Sequence, residues 1–595
     1  MTANELREKF LRFFADKKHT IVPSSSLLPT DPSVLFTTAG MQQFKLYYLG
    51  QDSPYGKNVT SCQKCFRTSD IEEVGDNRHL TFLEMLGNFS FGGYFKEEAI
   101  NWALEFLVSA CQLPIEKLAF TYFAGDNEVP ADIESKGIWL KLGIPEKRIF
   151  GAGRQDNFWG PTGEEGPCGP TTEIYYDLKG EPCEKGKECG PSCGCNRFIE
   201  LWNLVFNEYF QDKEKKLTPL KQKGVDTGMG LERLAFVSQG GEDIFDSDLF
   251  QPLIEIIRGQ EKGVSTGLTE RWERIIADHS KAAAFLISEG IFPTNVEQGY
   301  VVRRILRRTI KYGANLGLEK GFLIPLVEKV IEMYWEIYFK SSLMNKEEIV
   351  EVIRREEEKF NRTLKAGLKR FEKLAKTGII IGTDAFHLYD TYGFPLELTL
   401  ELAKERDITV EVEGFETAFK KHQEISRAGA EKKFGGVGKD ASYEMVKLHT
   451  ATHLLHQALR NVLGDHVQQM GSDITPQRLR FDFSHSEKLT ARQIAAVEQI
   501  VNQKIQADLP VKKVEMKYSE AIEIGALAFF KEKYPAVVTV YFIGDPARDS
   551  GQVFSKEVCA GPHVNRTAEL GSFKIEKEES SGAGTRRIRA VLANE

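Results

Sequence analysis

No stretch of this chain approaches the ~18 consecutive apolar residues that a membrane helix needs, although 41% of its 595 residues are hydrophobic. A membrane-spanning helix is therefore not expected. The opening MTANELREKF lacks the basic segment and apolar core of a secretory leader, so the expected compartment is the cytoplasm. Excess positive charge is also missing. The 78 Lys and Arg face 86 Asp and Glu, a formal charge of −8, which does not advertise a nucleic-acid binder through net charge alone. There is no Gly-x-x-x-x-Gly-Lys loop to cradle phosphates, no internal repeat and no long low-complexity tract. Cysteine is scarce at nine residues, yet four of them crowd into residues 183–195. What remains, 28% charged and long enough for three or four domains, reads as globular.

The hydrophobic pattern divides the chain. A helix is predicted over about residues 2–17, with Leu6, Phe10 and Phe14 on one face and Thr2 as its cap. Mixed strand and loop signals rich in Gly, Pro and aromatics continue to about 254. Residues 255–426 turn helical, most clearly where Val352, Ile353, Phe360, Leu364 and Phe371 form a stripe among charges. RAGAEKKFGGVGKDAS at 427–442 predicts a linker, and 443–595 a final α+β segment.

Several constellations carry chemistry. In GVDTGMGLERLA (224–235), Gly228 and Gly230 let backbone approach a ligand, and Arg233 on the helix behind them can reach a phosphate or lie over an adenine. The nearby carboxylate of Asp226 suits a substrate amino group. Arg67 in SCQKCFRTSD precedes RHLTFLEMLGNFSFGGYF (78–95), a strand–loop–strand pattern expected to present Arg67 and Glu84 from the inner face of an antiparallel hairpin. Two arginines without a P-loop argue for ATP held on an antiparallel sheet. RRILRRTIK (303–311) puts Arg303, Arg307 and Lys311 on one helical face, either solvated or tracking phosphates. His449 and His453 stand i,i+4 on a predicted helix, and Cys559 and His563 add a thiolate and a third imidazole, a zinc-type set. Cys183, Cys189, Cys193 and Cys195 suggest a second structural zinc rather than disulfides. Cys62 and Cys65 read as packing, and His456 as a surface or packing residue.

Together, Arg67, FLEMLGNFSF, DNFW (156–159), GPCGPTTEIYYD (166–177), ELWNLVF (200–206) and VDTGMGLER resemble the alanyl-tRNA synthetase family of class II aminoacyl-tRNA synthetases over almost the whole chain. The resemblance implies an α+β fold in domains. These are a class II antiparallel-sheet catalytic domain at 1–254, a helical tRNA acceptor-stem recognition domain at 255–426, and an α+β zinc-containing editing domain at 443–595. The implied activity is ATP-dependent ligation of L-alanine to tRNA(Ala) through an adenylate, with hydrolysis of mischarged Ser-tRNA and Gly-tRNA.

By that resemblance Arg67 clamps the α-phosphate, Arg233 holds the base and γ-phosphate, and His79 and Glu84 join them in binding ATP. Asp226 takes the alanine ammonium, while Met85, Trp159, Asn203 and Gly228 shape the side-chain pocket. Mg2+ accompanies ATP, with Glu173 a candidate ligand. Asn295 and Asp390 match the positions that read a G·U pair, and Arg303, Arg304, Arg307 and Arg308 would hold tRNA phosphates. His449, His453, Cys559 and His563 hold the editing zinc, and Gln469 belongs to the editing site. If all four ligands bind at once, the zinc has no open position, so it is expected to orient the tRNA end rather than generate hydroxide.

Three departures stand out. The family's β-barrel between the helical and editing parts is missing, the sequence stops at Glu595 without the long C-terminal domain, and the editing segment reads CAGPHV…TAELG. Glu297 and Gln298 also replace the family's more usual Gly-Arg. A compact monomer is expected.

Overall fold

Thr2 caps the first helix, Ala3–Asp16, through a reciprocal pair in which its hydroxyl accepts from the Glu5 N–H and Glu5 accepts from the Thr2 N–H. Leu6, Phe10 and Phe14 are fully buried along it. The computed structural model describes all residues except 32, 162, 187–188, 261–266, 435–440, 486, 529–536, 546–552, 583–584 and 594–595. It comprises two compact units, Met1–Phe415 and Glu416–Glu595. Among the described residues no helix is long and apolar enough to cross a membrane.

The first unit is built on a nine-stranded sheet. In chain order its strands are β1 (Thr20–Ile21), β2 (Asn58–Phe66), β3 (Phe82–Phe91), β4 (Leu118–Phe123), β5 (Ile149–Ala152), β6 (Phe158–Trp159), β7 (Gly166–Asp177), β8 (Phe198–Gln211) and β9 (Leu217–Gly230). Spatially they run β1-β2-β3-β9-β8-β7-β4-β5, with β6 added on β7. Every pairing is antiparallel except β1–β2 and β4–β5. Phe10 and Phe14 pack on Trp202 at ring separations of 5.6 and 6.3 Å, so the first helix covers one face of this sheet.

Alternate residues of a strand face opposite sides, and register decides which of them line up. Across the middle of the sheet Glu173 pairs with Asn203 and Asn203 with Gly228, while Met85 pairs with Gly230. On β8 the row Leu201, Asn203 and Val205 faces away from the first helix, and Trp202 faces it.

The helices from Gly267–Ser288 to Leu396–Lys404 belong to the same compact unit as the sheet. Buried polar pairs join them to it. Thr81 donates its N–H and hydroxyl to Asp278 at 3.0 and 2.5 Å, and Lys281 donates to Glu232 at 2.9 Å. The predicted charged helix is Lys346–Ala375, capped by Asn345.

Of the expected linker, residues 427–434 continue the helix Val412–Phe434. Apart from Gly429 they are largely Ala, Glu, Lys and Arg, all good helix formers. Residues 435–440 lie outside those described.

In the second unit the helices Tyr443–Leu463 and Ala491–Gln506 pack on a four-stranded antiparallel sheet made from Gln469–Thr475, Arg478–Ser484, Thr585–Ala593 and Ser572–Gly582. Leu455, Phe481, Phe483, Val501 and Ile588 are among its core. A second antiparallel sheet of three strands carries Ser555–Val558 at one edge, just before Cys559.

Candidate active site

A cavity of about 250 Å3 opens on the face of the large sheet turned away from the first helix. Strand parity fills it. Leu83 and Met85 come from β3, Thr171 and Glu173 from β7, Asn203 and Val205 from β8, and Asp226, Gly228 and Gly230 from β9. Arg67, His79, Trp159 and Arg233 line it as well.

Arg67 is placed at the end of β2, where its N–H donates to the Thr81 carbonyl at 2.9 Å and its Nε to the Thr38 carbonyl at 3.4 Å. Arg233, in the first turn after Gly230, donates from Nη1 to the Glu200 carbonyl and carboxylate, both at 3.1 Å. His79 is held by Asp76, whose Oδ2 lies 2.7 Å from Nδ1. That hydrogen bond raises the imidazole's pKa, so it carries positive charge more readily.

The carboxylates differ in environment. Asp226 is buried, and among the described residues none donates a hydrogen bond to its carboxyl, so desolvation pushes it up to about 7. Glu173 accepts from Asn203 Nδ2 and from the Tyr175 hydroxyl, each at 2.6 Å. Burial, then the charge of Glu200, raises it well above the usual carboxylate range. The Trp159 indole N–H and Asn203 Oδ1 are buried without a protein partner. A Cβ on Gly228 would meet Met85 Sδ at 3.0 Å, tighter than ordinary contact, so glycine there preserves the floor beside Asp226.

Glu84 corrects the sequence reading. It sits on β3 between Leu83 and Met85 and therefore points to the opposite face of the sheet. There Arg7 clamps it at 2.8 and 2.7 Å, and the Tyr338 hydroxyl adds a third hydrogen bond at 2.8 Å. It is a buried ion-pair residue and does not line the cavity. In the other direction, Asp70, Arg78, Asp156 and Glu200 line the cavity and were not singled out. Glu200 breaks parity because β8 bulges. Ile174 pairs with Trp202 but Tyr175 with Glu200, which turns Leu201 and Glu200 both toward the cavity. Sequence alternation carries no sign of that extra residue.

The basic helix, Glu297–Asn315, is a second correction. Arg307 and Arg308 are 6% and 3% exposed, too enclosed to track phosphates. Arg307 pairs with Glu356 at 2.6 Å and Arg308 with Glu401 at 2.6 Å. Arg303 and Arg304 keep only 11% and 14% of their side chains exposed and pair with Glu356, and with Glu72 and Glu397. The missed signal is the helix Leu396–Lys404 and the residue after it, which set Glu397, Glu401 and Glu405 four apart against Arg304, Arg308 and Lys311. Asn295 and Asp390 are exposed, and Asn295 Oδ1 accepts from Arg303.

The second unit brings His449, His453, Cys559 and His563 together with all four ligand atoms within 4.8 Å of one another. Nδ1 of His449 lies 3.0 Å from the Pro562 carbonyl, leaving Nε2 facing Cys559 Sγ at 3.5 Å. His563 Nδ1 meets the Thr450 hydroxyl at 3.1 Å, while its Nε2 is buried without a partner. Burial opposes a thiolate, but the three surrounding histidines, with His449 Nε2 at 3.5 Å, bring Cys559 down to about 2. His456 is fully buried, 3.1 Å from Glu557, so it packs rather than lying at the surface. Gln469 opens its strand and donates to Ser472 at 3.1 Å.

In the first unit Cys183, Cys189, Cys193 and Cys195 also converge within 4.8 Å. Sγ pairs lie 3.5 and 3.7 Å apart. Cys62 and Cys65 are separately buried in the sheet.

The family model for class II tRNA synthetases (A) matches residues 5–471, and that for the threonyl and alanyl tRNA synthetase second additional domain matches 538–589. An alanine–tRNA ligase of Treponema pallidum is 48% identical over 605 positions, covering 99% of this chain and 98% of that protein. One from Borreliella afzelii is 48% identical over 607 positions and the full length of both. One from Dehalococcoides mccartyi is 39% identical over 716 positions, covering 100% and 80%, so it carries segments that these 595 residues lack. The ordered motifs converge on one cavity, a second additional domain follows, and relatives match end to end: this chain belongs to the alanine–tRNA ligase family of class II tRNA synthetases.

Proposed function

We propose that the sheet cavity joins L-alanine to ATP as an adenylate and passes the alanyl group to tRNA(Ala). The observation that carries this reading is the pairing, in one cavity, of the buried, unpaired Asp226 with Arg67, His79 and Arg233. An amino acid entering there returns a charge to Asp226, since its ammonium favours the ionised carboxylate. The glycine at 228 and the Met85 thioether leave room for a methyl group. Arg67 and Arg233 meet negative charge as the alanine carboxylate attacks the α-phosphate and pyrophosphate leaves. Glu173, raised in part by the charge of Glu200, and Glu200 itself are the carboxylates suited to Mg2+ bound with ATP. One chain supplies every residue named, which supports action as a monomer.

The C-terminal cluster is assigned to proofreading. A methyl pocket distinguishes alanine from serine or glycine poorly, by about 10–200-fold per group of that size, so hydrolysis elsewhere must supply the remainder. His449, His453, Cys559 and His563 fit Zn2+ in donor type and in mutual distance. A zinc held by all four would orient the tRNA 3′ end. The four-cysteine group suits a structural zinc. Asn295 and Asp390, exposed on the helical region, suit recognition of acceptor-stem base edges.

The test is exchange of labelled pyrophosphate into ATP with alanine, serine, glycine or threonine. Strong exchange with alanine and weaker exchange with serine and glycine is expected. Absence of exchange with all four would overturn the ligase reading.

A further inference from the structure

Arg308 was expected to hold a phosphate, and its burial raises the question of what a fully enclosed guanidinium holds instead. Its Nη1 donates to the Ile71 carbonyl at 2.7 Å, and its Nη2 to the Val74 carbonyl at 3.4 Å. Both acceptors are backbone groups of loop 67–79, the segment that carries Arg67, Asp70, Arg78 and His79 to the ATP cavity. The same guanidinium is fixed from behind. Nε and Nη2 grip Glu401, and Nη1 also donates to His279 Nε2 at 2.8 Å.

His279 extends the hold to the other end of the loop. Its ring is fully buried and accepts from Arg308 at Nε2, which places the proton on Nδ1 facing Asp278 at 2.8 Å. Asp278 in turn takes the N–H and hydroxyl of Thr81, whose carbonyl receives the Arg67 N–H at 2.9 Å. Arg308 thus reaches the middle of the loop directly and its root through three buried groups. Two further contacts press on the same segment. Arg304 pairs with Glu72, and Gly75, at a φ of +120°, lies so close to the Gly267–Ser288 helix that a Cβ would meet Arg271 Cγ at 2.8 Å.

We propose that Arg308 is a positioning residue for ATP, a clamp by which the helices Gly267–Ser288, Glu297–Asn315 and Leu396–Lys404 set the loop presenting Arg67 and His79 to the nucleotide. This rests on reading the sheet cavity as the ATP site. A guanidinium suits the task because its planar fork serves two carbonyls, a carboxylate and an imidazole at once, which an ammonium does not. The acceptor carbonyls belong to the backbone, so the clamp does not depend on which side chains the loop carries.

The experiment compares Arg308→Gln, Arg308→Lys and Gly75→Ala with the unaltered chain. Calorimetry reads the Kd for ATP–Mg2+, pyrophosphate exchange reads both KM values, and thermal melting reads the fold. Arg308→Gln is expected to raise the Kd and KM for ATP about tenfold, with the alanine KM held within about twofold, and Arg308→Lys to recover part of the loss. Gly75→Ala, which pushes the loop away from the Gly267–Ser288 helix at Arg271 and leaves the Arg308 side chain itself unaltered, should give the same signature at about threefold. A purely structural Arg308 would lower the melting point or the active fraction and leave the ATP constants unchanged, which overturns the proposal. If Arg308→Gln does not fold, an unchanged ATP Kd in Gly75→Ala overturns it as well. Failure of the unaltered chain to bind ATP would overturn the reading of the cavity itself, a separate and distinguishable result.

Discussion

In the sheet cavity functional groups arrive from five strands, a loop and a helix, and they suit separate tasks. In the C-terminal unit four ligands arrive as two close pairs, from one helix and one turn, and converge on one point. The first arrangement suits a reaction with several substrates, where charge, shape and base recognition must be met by different groups. The second suits a single ion, for which the set works together or not at all. A substitution in the cavity should therefore change one substrate's behaviour, and a substitution in the cluster should remove the whole site.

The sharpest way to break that comparison is a crossed pair of variants. Asp226→Asn is expected to lower kcat/KM for alanine in pyrophosphate exchange on the order of 10³-fold, because a charge-assisted contact to a buried ammonium is lost. Hydrolysis of Ser-tRNA by the same variant should be unchanged. Cys559→Ser should do the reverse, costing about 100-fold or more in hydrolysis together with bound zinc, with exchange intact. Loss of both activities in either variant would show that the two sites are not independent.

Next in size is Glu84→Gln, which tests whether this residue serves the cavity or the core. Removing its charge leaves Arg7 buried beside a neutral partner, so chemical denaturation should show a loss of about 3 kcal/mol while the ATP KM stays as it was. A raised ATP KM with unchanged stability would return Glu84 to the nucleotide site.

The smallest effect is graded by pH. Burial lifts Asp226 to about 7 from 3.8, so the folded chain holds an extra proton across that window. The unfolded chain binds fewer protons there, so this group's contribution to stability falls as pH rises from about 4 to about 7. Alanine needs the ionised form. Its kcat/KM should rise with pH through about 7, close to tenfold per unit below it, whereas kcat/KM for ATP should not follow the same curve. A flat alanine profile would mean that Asp226 is not the ammonium's partner.

Legibility followed the distance over which each decision is made. The convergence of His449, His453, Cys559 and His563 could be read because i,i+4 histidines on a helix and a Cys-x-x-x-His turn define their geometry locally. Arg67, Asp226, Gly228 and Arg233 were legible from ordered motifs, and Thr2 as a helix cap from its place just before the apolar stripe of Leu6, Phe10 and Phe14. Glu84 was misread because a strand gives a residue's parity relative to its neighbours but not which face holds the ligand. Glu200 was missed because the bulge between Ile174 and Tyr175 depends on the pairing of two strands. The arginine helix was misread because its acidic partners, Glu72, Glu356, Glu397 and Glu401, lie about fifty or more residues away along the chain.

The sequence by itself determined the chemical inventory: a sheet motif set with two arginines and an aspartate, a zinc-type ligand set and a cysteine-rich knot, each fixed by short-range spacing. Only the tertiary structure decided which of those charges meet a substrate and which meet one another. An ionised group takes whichever partner removes its desolvation cost, and for Glu84, Arg307 and Arg308 that partner is supplied by a distant segment of the same chain.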